Sequence, residues 1–71
     1  MSNVVKSPVV GTVWQIKVAV GDSVAEGDEI MILESMKMEI PVEAESAGTI
    51  ESLPIEQGAA VAEGDTLATI A

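Results

Sequence analysis

The sequence predicts an all-β fold in which two short antiparallel sheets close over a thin aliphatic core. Three observations predict it. Short runs rich in Val, Ile and Thr alternate with Gly and Asp at regular spacing, the texture of a sandwich or barrel. No long window sustains a 3.6-residue apolar period, so no amphipathic helix is expected. The chain also repeats itself: Val24-Ala25-Glu26-Gly27-Asp28 recurs as Val61-Ala62-Glu63-Gly64-Asp65, a shift of 61 − 24 = 37 positions. At that shift Gly11-Thr12 becomes Gly48-Thr49, Val13 becomes Ile50 and Gly21 becomes Gly58. Residues 7–34 overlay 44–71 without a gap, and the unduplicated middle carries Lys37.

The elements follow in order. A first strand over 3–6 holds a Val pair and ends before Pro8, and a second over 11–18 starts at the repeated Gly-Thr. Gly21 and Gly27 are each followed by an acid, which marks turns needing positive φ around a brief extended piece at 23–25. The strand 30–35 contains the longest apolar run, Ile30-Met31-Ile32-Leu33. In 38–43, Met38, Ile40 and Val42 share one face while Glu39 and Glu43 point away. The second half repeats the plan with strands at 48–55 and 66–70, and a short piece at 60–62 between Gly58 and Gly64. Pro8, Pro41 and Pro54 lack a backbone donor and belong at strand starts, edges or bulges. Residues 1–2 are expected to be a loose end.

Each half should form a similar set of strands related by a rough two-fold axis, because neither could cover its apolar face alone. The connection 34–39 then forms a tight hairpin near the axis, projecting from the body. The 71 residues make one domain, 1–71, near the lower limit for folding without cross-links.

Composition excludes several chemistries. With no Cys and no His there is no disulfide, no imidazole metal site and no Ser–His or Cys–His triad. Three Lys against twelve acids give a net charge of −9, which argues against nucleic acid and anionic membranes as partners. The longest apolar run is too short to span a bilayer. Met1-Ser2-Asn3 has no basic region and no apolar signal core, so a cytoplasmic location is expected, and the initial Met fits a complete small protein. The single aromatic, Trp14, is expected as a core or rim anchor, and Lys6 and Lys17 as surface charges.

The chemistry concentrates in Glu34-Ser35-Met36-Lys37-Met38-Glu39. A primary amine on a four-carbon stem accepts an activated carboxyl group to give an amide, and a hairpin tip holds it where a modifying enzyme can reach. Methionine is flexible and polarizable, so Met36 and Met38 suit adaptable contacts with several partners. The alternative is that they cover the end of the barrel, and strand parity favours core packing for Met38. An exposed hairpin lysine is commonplace alone; its place at the midpoint of a repeat, between two methionines, points to a carrier.

Glu34-Ser35-Met36-Lys37-Met38-Glu39 resembles the attachment motif of the biotinyl/lipoyl carrier family, whose biotinyl members centre on Met-Lys-Met. Ser7-Pro8-Val9-Val10-Gly11-Thr12-Val13 is similar to the family's opening Ala-Pro-Met-x-Gly-x-Val, with Val9 in place of Met. Residues 20–28 resemble the turn-rich approach to the hairpin, and 44–50 the segment after it. Ser35 stands where Ala is common. The ungapped repeat leaves no room for a "thumb" loop, so the chain is most similar to thumbless carriers and to small free-standing attachment proteins. The resemblance implies a flattened barrel-sandwich, or hammerhead, of two four-stranded antiparallel sheets. It implies a non-catalytic carrier with biotin covalently on Lys37, set by a biotin–protein ligase, serving a biotin carboxylase and a carboxyltransferase. Met36 and Met38 would flank the attachment point, with Glu34, Ser35 and Glu39 completing the hairpin. Two alternatives stand beside it: a lipoyl carrier, whose motif typically reads Glu-Thr-Asp-Lys-Ala, and a structural barrel-sandwich module.

Overall fold

The computed structural model describes residues 3–71; the loose end expected at residues 1–2 lies outside the described residues. Among the described residues eight strands form: β1 (Asn3–Lys6), β2 (Gly11–Ile16), β3 (Ser23–Val24), β4 (Glu29–Ser35), β5 (Met38–Glu43), β6 (Gly48–Ser52), β7 (Ala60–Val61) and β8 (Thr66–Ile70). They make two four-stranded sheets, ordered β1-β8-β6-β3 and β5-β4-β2-β7, and every pairing is antiparallel. The all-β, two-sheet architecture is the one the sequence predicts. Two strands end early. β2 stops at Ile16: Lys17 N still donates to Ile30 O at 2.8 Å, and the chain then turns as Asp22 N bonds Ala19 O. β6 stops at Ser52, just before Leu53-Pro54, where proline has no N–H to continue the ladder.

The 37-residue shift carries β1–β4 onto β5–β8 and one sheet onto the other. Hydrogen bonds follow it. Ser7 N donates to Asp65 O and Ala44 N to Asp28 O, both at 2.8 Å, and Gly27 N→Ala44 O is matched by Gly64 N→Ser7 O. The halves do not stack as separate layers: each sheet takes two strands from each half, so the repeat units interlock.

The core obeys the same relation. Val5 pairs with Val42, Val13 with Ile50, Val24 with Val61, Ile30 with Leu67, Met31 with Ala68 and Leu33 with Ile70, all buried. Buried Ala44 has Ser7 as its counterpart, whose hydroxyl is satisfied by donating to Val9 O at 2.6 Å. The turn glycines have the positive φ expected of them, 92° at Gly27 and 89° at Gly64 among them. Their acidic neighbours close the same turns: Asp28 Oδ2 accepts from Ala25 N, and Asp65 Oδ2 from Ala62 N, both at 2.8 Å. That is why the repeat conserves a Gly-Asp step in each half of this chain.

Of the two places expected for Trp14, core or rim, the structure rules out the core. The side chain stands 47% exposed, at a register shift between Val13 and Gln15 in the β2–β4 ladder. Alternation from buried Val13 already turns Trp14 outward, and the extra residue at the bulge places Gln15 outside beside it.

Candidate functional site

The site is built on the β4–β5 hairpin, whose ladder runs from Glu29↔Glu43 to Ser35↔Met38. Only Met36 and Lys37 lie beyond the last pair. Both have positive φ, 53° and 65°, as a type I′ turn requires. That turn matches strand twist but is normally filled by Asn-Gly. For residues with a Cβ, the left-handed region costs roughly 1–2 kcal/mol each, a strain held here by the ladder beneath it.

The strained turn puts Lys37 at the extremity, exposed, between Met36 at 92% and Met38 at 65% exposure. Parity alone favours core packing for Met38. It does share a face with half-buried Ile40 and buried Val42, but lies past the end of the core, so its side chain meets solvent. Glu34 and Glu39 oppose each other directly across the hairpin, both exposed. Like charges placed so are unfavourable for a sheet by themselves.

A second segment braces the hairpin. Ser35 Oγ donates to Val10 O at 2.7 Å. Gly11 packs so close that a Cβ there would lie 2.5 Å from Glu34 O, which only glycine avoids. An open cleft beside the turn is walled by Pro8, Val9, Val10 and Met36, with Glu63 reaching in from the second half. Sequence reasoning singled out the hairpin but not Val10 or Glu63 as its neighbours. The recurrence of glycine at 11 and 48 was the available signal, since Gly48 has the same close approach, to Ala71 O.

Removing the brace is a modest perturbation. Ser35→Ala is expected to lower unfolding free energy by about 0.5–1 kcal/mol, the net worth of one exposed hydrogen bond. Urea unfolding checks the magnitude. Faster amide exchange confined to 8–12 and 34–39 would show that the loss is local.

The family described as biotin-requiring enzyme matches residues 2–70, nearly the whole chain. The chain belongs to it. Members of this biotin-requiring family resemble the chain at full length and as parts of larger proteins. The biotinylated protein TB7.3 homolog of Mycobacterium leprae is 38% identical over 71 residues, covering 100% of both chains. The biotin carboxyl carrier protein of Streptococcus mutans is 43% identical over 70 residues, 99% of this chain and 54% of that one. The chain thus spans about half the length of that relative. Among solved structures, the urea carboxylase of Kluyveromyces lactis superposes with a TM-score of 0.94 at 34% identity, over 100% of this chain and 6% of that one.

Proposed function

We propose that the chain is a biotin carboxyl carrier whose attachment point is Lys37. The observation that carries the assignment is positional. Of three lysines, Lys37 alone occupies the two-residue turn, exposed and flanked by exposed methionines. Lys6 lies within β1 opposite Thr66, and Lys17 follows β2 on the side of the barrel. The site fits the group, because an amide at Lys37 Nζ needs no cavity and displaces no packed side chain.

In attachment, Lys37 Nζ gives up a proton and bonds the acyl carbon of biotinyl-adenylate held by a biotin–protein ligase, and AMP leaves. The charge of the chain then goes from −9 to −9 − 1 = −10. When bound, biotin accepts a carboxyl group at a biotin carboxylase site and yields it at a carboxyltransferase site. In the carboxyl transfers the protein itself makes and breaks no bonds. It supplies a rigid mount for a long flexible arm, which raises the effective concentration of the carried group at both sites. Methionine on each side of the lysine, where a lipoyl motif has Asp and Ala, supports biotin over lipoate.

The test is intact mass after expression with active biotin–protein ligase. One biotin adduct is expected on the native chain and none on Lys37→Ala, whose circular dichroism stays native. An adduct on Lys6 or Lys17, or a lipoyl mass in its place, would overturn the assignment.

A further inference from the structure

The β1–β2 connection beside the lysine turn is fixed by two serine hydroxyls. Ser7 Oγ donates to Val9 O at 2.6 Å and Ser35 Oγ to Val10 O at 2.7 Å. Two consecutive loop carbonyls are thereby occupied, and Pro8, Val9 and Val10 stand as an apolar wall, with Val10 67% exposed. Met36 closes the cleft from the turn, and Glu34 and Glu63 border it. Among the described residues neither carboxylate has a hydrogen-bond or ion-pair partner. The cleft encloses about 620 Å³, in the range of small-molecule sites, which are mostly apolar with a few placed polar groups.

The repeat supplies an internal control in the β5–β6 connection at the other end of the barrel. The 37-residue shift replaces Pro8, Val9 and Val10 by Glu45, Ser46 and Ala47, and Ser7 by Ala44. There Ser46 Oγ accepts from Asn3 Nδ2 at 2.9 Å, a polar pair whose counterparts near the lysine are Val9 and Ile40. The backbone plan is the same, since each connection leads into a glycine packed against a carbonyl, Glu34 O for Gly11 and Ala71 O for Gly48. An acid is common to both ends, Glu26 recurring as Glu63. The apolar wall is not common to both, so the fold does not require it.

We infer that this cleft is a resting site for the biotin end of the arm on Lys37. The inference rests on the carrier reading for the ligand. The biotin end joins an apolar thioether ring to a cyclic urea that has two N–H donors and no charge. Pro8, Val9, Val10 and Met36 cover the thioether ring. Glu34 faces Glu39 across the hairpin, which leaves Glu63 to accept from a urea N–H in a charge-assisted bond. A visiting Lys or Arg could also pair with Glu63, but it would lay a charge against four apolar residues; the urea brings donors without one. Position favours the arm as well. Met36 is both a wall of the cleft and the residue bonded to Lys37, so the ring reaches the cleft by doubling back, before any partner arrives. A short flexible tether gives an effective concentration of roughly millimolar. A contact of about millimolar affinity therefore keeps the arm seated roughly half the time, and an enzyme site readily draws it away.

The experiment compares the isotope-labelled chain with and without biotin on Lys37, with no partner present, after intact mass has established a single adduct. Isotope-filtered spectra are expected to show nuclear Overhauser contacts from the biotin ring protons to the methyl groups of Val9 and Val10. Amide shifts are expected at 62–64 as well as at 35–38. Residue 62 is 62 − 37 = 25 positions from the lysine, so no through-bond effect carries the change there. Pro8→Glu with Val10→Ala installs residues that the same backbone accepts at the other end, both at exposed positions, and should keep the native spectrum. That variant and, separately, Glu63→Ala are each expected to cut the ring-to-Val9 contact by about twofold or more. Ring contacts confined to Met36 and Met38, no ring contact at all, or an undiminished contact in either variant would each overturn the inference. A missing biotin mass overturns the carrier reading and the resting site with it; the correct mass without these contacts overturns the resting site alone.

Discussion

Leu33→Ala is expected to leave the protein only marginally folded. Leu33 is fully buried and sits centrally in its sheet, opposite Val13 on one side and Ile40 on the other. Truncating such a leucine removes its transfer free energy and leaves a cavity, about 2–5 kcal/mol together. At roughly 0.05–0.15 kcal/mol per residue, a chain of this size has a total stability of only about 4–11 kcal/mol. The midpoint of thermal unfolding should fall by about 10 °C or more. Ile70→Ala, at the position related by the repeat, should have a similar effect on the opposite sheet. Because each sheet draws strands from both halves, either lesion should lower one common transition. Trp14 emission and far-ultraviolet circular dichroism must then give coincident curves. Two separated transitions, one per half, would contradict the interlocked topology.

The second large effect runs the other way in stability. Replacing Met36-Lys37 by Asn-Gly installs the residues a type I′ turn prefers. Relief of left-handed strain at two residues is worth roughly 1–2 kcal/mol each. The greater chain entropy of glycine in the unfolded state takes back about 0.4–1 kcal/mol. A net gain of about 1–3 kcal/mol is expected, with unfolding midpoints higher by about 5–15 °C and no biotin incorporated. Met36→Asn alone keeps the amine and should show part of the gain. If neither variant is more stable, the turn is not strained and Lys37 is held out by some other means. The expected trade is that of a functional site whose acceptor residue is a poor choice for the backbone it occupies.

The strands, the turn glycines and the exposed tip were legible because each depends on local chemistry: alternation, Gly-Asp steps, and a lysine between methionines. What was not legible depends on pairing and depth. Periodicity says which face Met38 lies on but not that the core ends at Ile40. A bulge adds a residue without altering composition, so nothing local marked Gln15 as lying outside beside Trp14. The brace from Val10 and the approach of Glu63 need partners 25 or more residues away in the chain, and the strand order was equally hidden. Internal duplication showed that the halves are alike, not that they interleave.

The pairing of β1 with β8 has a further consequence. β8 begins beside Ser7, on the side of the cleft and the lysine turn, and runs away from it, so that Ile70 finishes opposite Asn3 and next to Gly48. Asn3 and Ala71 are therefore held side by side at the pole remote from Lys37, on a body 32 Å long and 17 Å across. Any polypeptide tethered at either end, or at both as an inserted loop, attaches at the stern and leaves the prow unobstructed.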